Sequence, residues 1–132
     1  MMKKYKYELF NKLSEMGCDI DDALDRLCID EEFLSENYVL LLDDLSKDTV
    51  SEPLEKEDWN MAFRMMHKKK GVYLNLGLSY LKEYFDIICE SLRKATNEEA
   101  LPHKAYFLKT AMDFHKQEQI IADIIKECQG NL

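Results

Sequence analysis

The stretch Leu78-Ser79-Tyr80-Leu81-Lys82-Glu83-Tyr84-Phe85-Asp86-Ile87-Ile88-Cys89-Glu90-Ser91-Leu92-Arg93-Lys94-Ala95 places apolar residues at Leu78, Leu81, Phe85, Ile88, Leu92 and Ala95, in steps of 3-4-3-4-3. A helix with about 3.6 residues per turn gathers those side chains into one stripe, and such a stripe is the seam of a helical bundle. A half-buried strand would alternate with a period of two, and strand patterns of that kind are missing from the sequence.

The same periodicity extends in both directions. Upstream, Asp58 is placed to cap a helix from Trp59 to about Leu76, with Gly77 placed to end it. Before that, a helix begins after Asp30 and carries Leu34, Tyr38, Leu41, Leu42 and Leu45; Pro53 is expected to kink or end it. Asp19 caps a short turn with Ala23, Leu24 and Leu27. A first amphipathic helix is expected from about Lys3 to Met16, with Tyr5, Leu9, Leu13 and Met16 on one side and Gly17 as its stop. Downstream, a boundary near Thr96 to Pro102 leads into a last helix whose inner side holds Phe107, Ala111, Phe114, Ile121, Ile125 and Cys128. The expectation is an all-α fold: an up-and-down four-helix bundle with an additional N-terminal helix. It forms a single domain over 1–132, with 1–17 as the N-terminal helix and 18–128 as the bundle core.

Composition agrees. At 132 residues the chain is long enough to bury a core without disulfide or metal staples. Four glycines and two prolines are few for a turn-rich β fold, and 46% hydrophobic with 33% charged residues is the balance of a globular chain. No stretch approaches the roughly 18 apolar residues of a membrane span. The opening lysines have no apolar run behind them, so no secretion signal is expected. Cys18, Cys28, Cys89 and Cys128 form no C-x-x-C pair and read as reduced, mostly buried thiols, which points to a cytoplasmic protein.

Charge is unevenly spread. The net formal charge of −8 argues against a nucleic-acid or anionic-membrane binder. Fifteen Asp/Glu against Arg26, Lys47 and Lys56 give residues 18–58 a net −12, leaving +4 for the remainder. That remainder contains His67-Lys68-Lys69-Lys70-Gly71, the one run of three consecutive cations. A small basic site on an acidic body suits a defined anionic feature of a partner.

On a helical wheel centred on His67, Met61, Ala62, Met65, Val72, Tyr73 and Leu76 fall on the far side and are expected to form the core stripe. His67 then faces outward with Asn60, Phe63, Arg64, Lys70, Gly71 and Leu74. Apolar Phe63 and Leu74 beside an exposed histidine suggest docking. Gly71, one turn on, costs about 1 kcal/mol relative to Ala inside a helix, so something should need the missing side chain. An imidazole titrates near neutrality, and nearby cations favour its neutral, nucleophilic form. The same cations suit the charged oxygens of a phosphoryl group in transfer. These features converge on a phosphorylatable histidine.

His67-Lys68-Lys69-Lys70-Gly71-Val72-Tyr73-Leu74-Asn75-Leu76-Gly77 resembles the signature of histidine-containing phosphotransfer (HPt) domains, H-x-L-K-G followed by N-L-G. Asp21-Asp22-Ala23-Leu24-Asp25-Arg26-Leu27, then Asp30-Glu31-Glu32-Phe33-Leu34, is similar to the family's entry into its second helix, and Asp58-Trp59 fits upstream of the histidine. The resemblance implies a two-component phosphorelay protein. His67 would accept a phosphoryl group from the aspartyl phosphate of a response-regulator receiver domain and return it to another. Lys70 and Lys68 would steady the phosphate, Gly71 would give clearance, and Phe63, Arg64 and Leu74 would dock the receiver. A hybrid sensor histidine kinase is a further implied partner, and the chain would act as a monomer. No cofactor is implied, since the divalent metal of such transfers belongs to the receiver; kinase and nucleotide-binding activity are not implied either. One residue departs from the pattern. Lys69 stands where the family has Leu, on the core side of the helix, and is expected to snorkel or to find an acid from the acidic segment.

Two other readings compete. A helical docking module could bind a receiver without being phosphorylated, and Lys69 is its best support. A metal-binding bundle enzyme would have to draw on His67, His103 and His115, but no E-x-x-H pair is present. His103 and His115 read as surface or boundary residues, and Trp59 as a packed helix-start residue.

Overall fold

The structure is a computed structural model describing residues 4–129; the expected helix start at Lys3 lies outside them. The helices are α1 (Glu8–Glu15), α2 (Ile20–Leu27), α3 (Glu31–Leu45), α4 (Ser51–Glu55), α5 (Trp59–Asn75), α6 (Lys82–Leu92), α7 (Asn97–Ala100) and α8 (Lys104–Cys128). Short 3-10 turns lead into α6 and α8, and no strand occurs among the described residues.

The long helices α3, α5, α6 and α8 form an up-and-down bundle. α5 packs on α6, α6 on α8 and α8 on α3, while α4 wedges against α5 and α8, and α1 lies on α8. One apolar core runs through them from Tyr5 to Cys128. The α6 seam is buried from Leu78 to Leu92, as are Phe107, Ala111, Phe114, Ile121, Ile125 and Cys128 of α8. Asp19, Asp30 and Asp58 cap their helices as expected, accepting the amide hydrogens of Asp22, Phe33 and Met61 at 3.0, 2.9 and 3.1 Å. Each such cap contributes about 1 kcal/mol.

Two boundaries differ from the sequence reading. α1 begins at Glu8 rather than near Lys3. The Tyr5 amide is tied to Asn11 Oδ1 at 3.0 Å, and Glu31 Oε1 accepts the amides of Lys6 and Tyr7 at 3.0 and 3.3 Å. Those side chains give the segment an alternative to helical hydrogen bonding. Pro53 neither kinks nor ends α3, which stops at Leu45. It sits in the first turn of α4, where its missing N–H needs no partner. Asp48 organises this connection by accepting the amides of Val50 and Ser51 at 3.1 and 3.0 Å and the Ser51 hydroxyl at 2.5 Å. Burial pushes the Asp48 carboxyl up, but these bonds outweigh it and hold the group below the usual carboxylate range.

The end of α5 is fixed by Gly77, at φ +81°. Leu78 N–H reaches back to Tyr73 O at 3.0 Å and Gly77 N–H to Leu74 O at 3.2 Å, the two bonds of a Schellman motif. The Gly77 carbonyl then accepts the Asp19 amide at 2.7 Å, so α5 ends on the start of α2. A Cβ at Gly77 would meet the Asp19 carbonyl oxygen at 2.4 Å. Gly77→Ala is therefore expected to destabilise the fold by about 2 kcal/mol or more, measured by chemical denaturation. An unchanged midpoint would contradict this account of the junction.

Candidate functional site

Helix α5 buries Trp59, Ala62, Met66, Lys69, Tyr73 and Leu76, again in steps of 3-4-3-4-3. This corrects the expected core stripe. Ala62, Tyr73 and Leu76 are inside, and Lys69 is buried on the core side as expected, but Met61 and Met65 are half-buried and Val72 is exposed, while Met66 joins Lys69 at the centre. The reason lies in what covers α5. The short α4 packs along one flank without closing over Met61 and Met65, which share a surface hollow there with Glu52, Pro53 and Lys56 and so stay half-buried.

This stripe leaves His67 outside. Its ring is exposed and stacks on Phe63, with centroids 5.4 Å apart and planes 19° from parallel. Phe63 and Leu74 are half-buried against the core, so they form the edge of this face rather than standing free on it. Arg64 and Lys68 are exposed and Lys70 half-buried, and none of the three is paired with a carboxylate among the described residues. The Cys89 thiol is pushed up to about 11 by burial, while the Lys70 ammonium acts on it in the opposite direction. Gly71 is exposed, and a Cβ there would touch nothing within 4 Å. The bundle itself does not need the gap.

The downstream residues of the motif are structural. Tyr38 donates its hydroxyl to the Leu76 carbonyl across the core, and Asn75 Oδ1 stands 3.4 Å from Arg26 Nη1. With Gly77 they tie the end of α5 to α2 and α3.

Lys69 finds its acid, but not in the acidic segment. Its Nζ donates to Glu118 Oε2 of α8 at 2.6 Å, with side chains 8% and 1% exposed. The segment supplies backbone carbonyls instead: Lys47 O at 2.8 Å and Asp44 O at 3.4 Å, at the negative end of the α3 dipole. Tyr73 donates its hydroxyl to the same Glu118 oxygen, and His115 Nδ1 lies 2.9 Å from Oε1. Burial, then the Glu118 charge and this hydrogen bond, push the Tyr73 hydroxyl well above the usual phenol range. Glu118 was missing from the sequence reading. The available signal was its place on the inner side of α8, four residues after Phe114 and three before Ile121.

His103 is exposed, and His115 is half-buried at the edge of the Glu118 cluster. Trp59 is packed at the start of α5. No group of three His, Cys, Asp or Glu side chains placed to hold a metal occurs among the described residues, and no helix there is long and apolar enough to cross a membrane. No family model, curated protein or solved structure matches this chain.

Lys69→Leu alone would leave the Glu118 carboxylate buried without its cation. It is expected to cost about 3 kcal/mol, read as a lowered denaturation midpoint. A stability equal to that of the native chain would contradict the buried pair.

Proposed function

We propose that this chain is a histidine phosphotransfer protein, a phosphocarrier that shuttles a phosphoryl group between His67 and the aspartate of response-regulator receiver domains. The observation that carries the reading is the exposed His67 ring on a bundle helix, beside Arg64, Lys68 and Lys70, none of which has an acid partner among the described residues. The unprotonated ring nitrogen attacks the phosphorus of the aspartyl phosphate. An N–P bond forms, the O–P bond breaks, and the receiver's carboxylate leaves with the electron pair. Stacking on Phe63 limits rotation of the ring, and its other nitrogen keeps its proton. Lys68 and Lys70 offset the charge on the transferring oxygens, the main work of catalysis in phosphoryl transfer. Phe63, Arg64 and Leu74 supply an edge for docking, and the open space at Gly71 lets the receiver's loops approach the helix. A divalent metal belongs to the receiver in this scheme, and a hybrid sensor histidine kinase is a natural upstream donor.

Incubation with a phosphorylated receiver is expected to give an acid-labile, base-stable label that His67→Gln abolishes. Label on His67→Gln would refute the site, and binding without label on the native chain would favour a pure docking module. Gly71→Ala separates folding from function. It should stabilise the isolated chain by up to about 1 kcal/mol, because Ala is the better helix former. It should also slow transfer from the receiver, because the added methyl occupies the clearance. Transfer at the native rate would remove Gly71 from the docking face.

A further inference from the structure

We infer that Lys69, fastened by Glu118, is a positioning residue that sets the rotation of α5 about its own axis, and with it the direction in which His67 is presented. The inference rests on the reading of His67 as phosphoacceptor. Stability alone does not explain the pair. An apolar pair of similar volume in a core is commonly as stable as a buried ion pair, or more so, because desolvating two charges offsets much of their attraction. What the charged pair adds is direction. The Lys69 ammonium has acceptors in two other parts of the bundle: Glu118 of α8 at 2.6 Å, and the carbonyls of Lys47 and Asp44 at the end of α3 at 2.8 and 3.4 Å. It also lies 5.8 Å from the centre of the Phe114 ring. Glu118 is itself held by Tyr73 of α5 and by His115 of its own helix.

The side chains of the α5 stripe other than Lys69 and Tyr73 lack this directionality. Ala62 and Met66 make contacts that survive sliding, and methionine adapts to altered surroundings. Lys69 follows His67 by two residues, about 200° around the same helix. A rotation that pulls Nζ off its acceptors therefore swings the imidazole by the same angle. Phosphoryl transfer is sensitive to such displacement, since a misplacement of about 1 Å can cost about 100-fold in rate. Stacking on Phe63 orients the ring relative to α5, while Lys69 orients α5 relative to the bundle.

The test compares the native chain with Lys69→Leu/Glu118→Leu, in which both charges are removed together. The double variant should remain folded, with a denaturation midpoint somewhat below the native one because the buried Tyr73 hydroxyl loses its acceptor. Its kcat/KM for transfer from a phosphorylated receiver should fall about 10-fold or more. Labelling of His67 by phosphoramidate, a small donor that does not need the docking face, should keep its native rate. The His67 ring signals in NMR spectra should change from one set to several, or broaden. Native transfer and a single set of ring signals in the folded double variant would overturn the inference. Should His67 fail to take label in the native chain from either donor, the proposed function falls, and the ring spectra still decide whether Lys69 fixes the rotation. If the double variant does not fold, Glu118→Gln weakens the hold on the Lys69 ammonium by removing the carboxylate charge while keeping the side chain's size. Slower receiver transfer with unaltered phosphoramidate labelling supports the inference there, and unchanged transfer and spectra count against it.

Discussion

The contact between Lys69 and Glu118 is the constraint around which the centre of the bundle is organised. Two charges in facing seams cannot be left bare in an apolar core, so every hydrogen-bonding position around them has to be answered. Tyr73, His115 and the carbonyls at the end of α3 answer them, and α3, α5 and α8 are drawn into one polar cluster within an otherwise apolar core. The cluster is costly to assemble and gives little room for alternatives. Apolar packing fills the remaining volume but does not select one rotation of a helix as sharply.

The outward face of α5 follows from that inward one. With Met66 and Lys69 at the centre of the buried stripe, His67 cannot lie inside, and Arg64, Lys68 and Gly71 share its exposure. The contrast between the two sides is electrostatic as well as geometric. Inside, the one lysine of the run that is buried is neutralised by Glu118. Outside, the neighbouring cations have no carboxylate partner among the described residues, although the chain as a whole is acidic. An unpaired positive edge on an acidic protein is a specific feature, and it coincides with a nucleophilic ring and an open approach.

Much of the fold was legible because local rules and packing agree. The 3-4-3-4 spacing of Leu78 to Leu92, the caps at Asp19, Asp30 and Asp58, and Gly77 at a positive φ are each dictated within a few residues, and all appear where the sequence places them. Readings that depended on distant partners fared less well. The start of α1 is set by Asn11 and by Glu31 from another helix. The exact stripe of α5 depends on how far α4 closes over one flank, which periodicity alone does not reveal. Lys69 was visible as an oddity, a cation on a core face, but a single helix does not name its acid. Reading α8 as a seam with a charge at Glu118 would have supplied it, because two opposite charges in two seams have few places to go. For the candidate site, exposure of His67 was legible from the wheel. The half-burial of Phe63 and Leu74 was not.

The most direct measurement is a two-dimensional correlation of proton and phosphorus signals, recorded on the chain after reaction with a phosphorylated receiver. The account requires a phosphoramidate signal coupled to the ring protons of His67. Phosphorus attached to any other residue, or a receiver that binds and keeps its phosphoryl group, would contradict it.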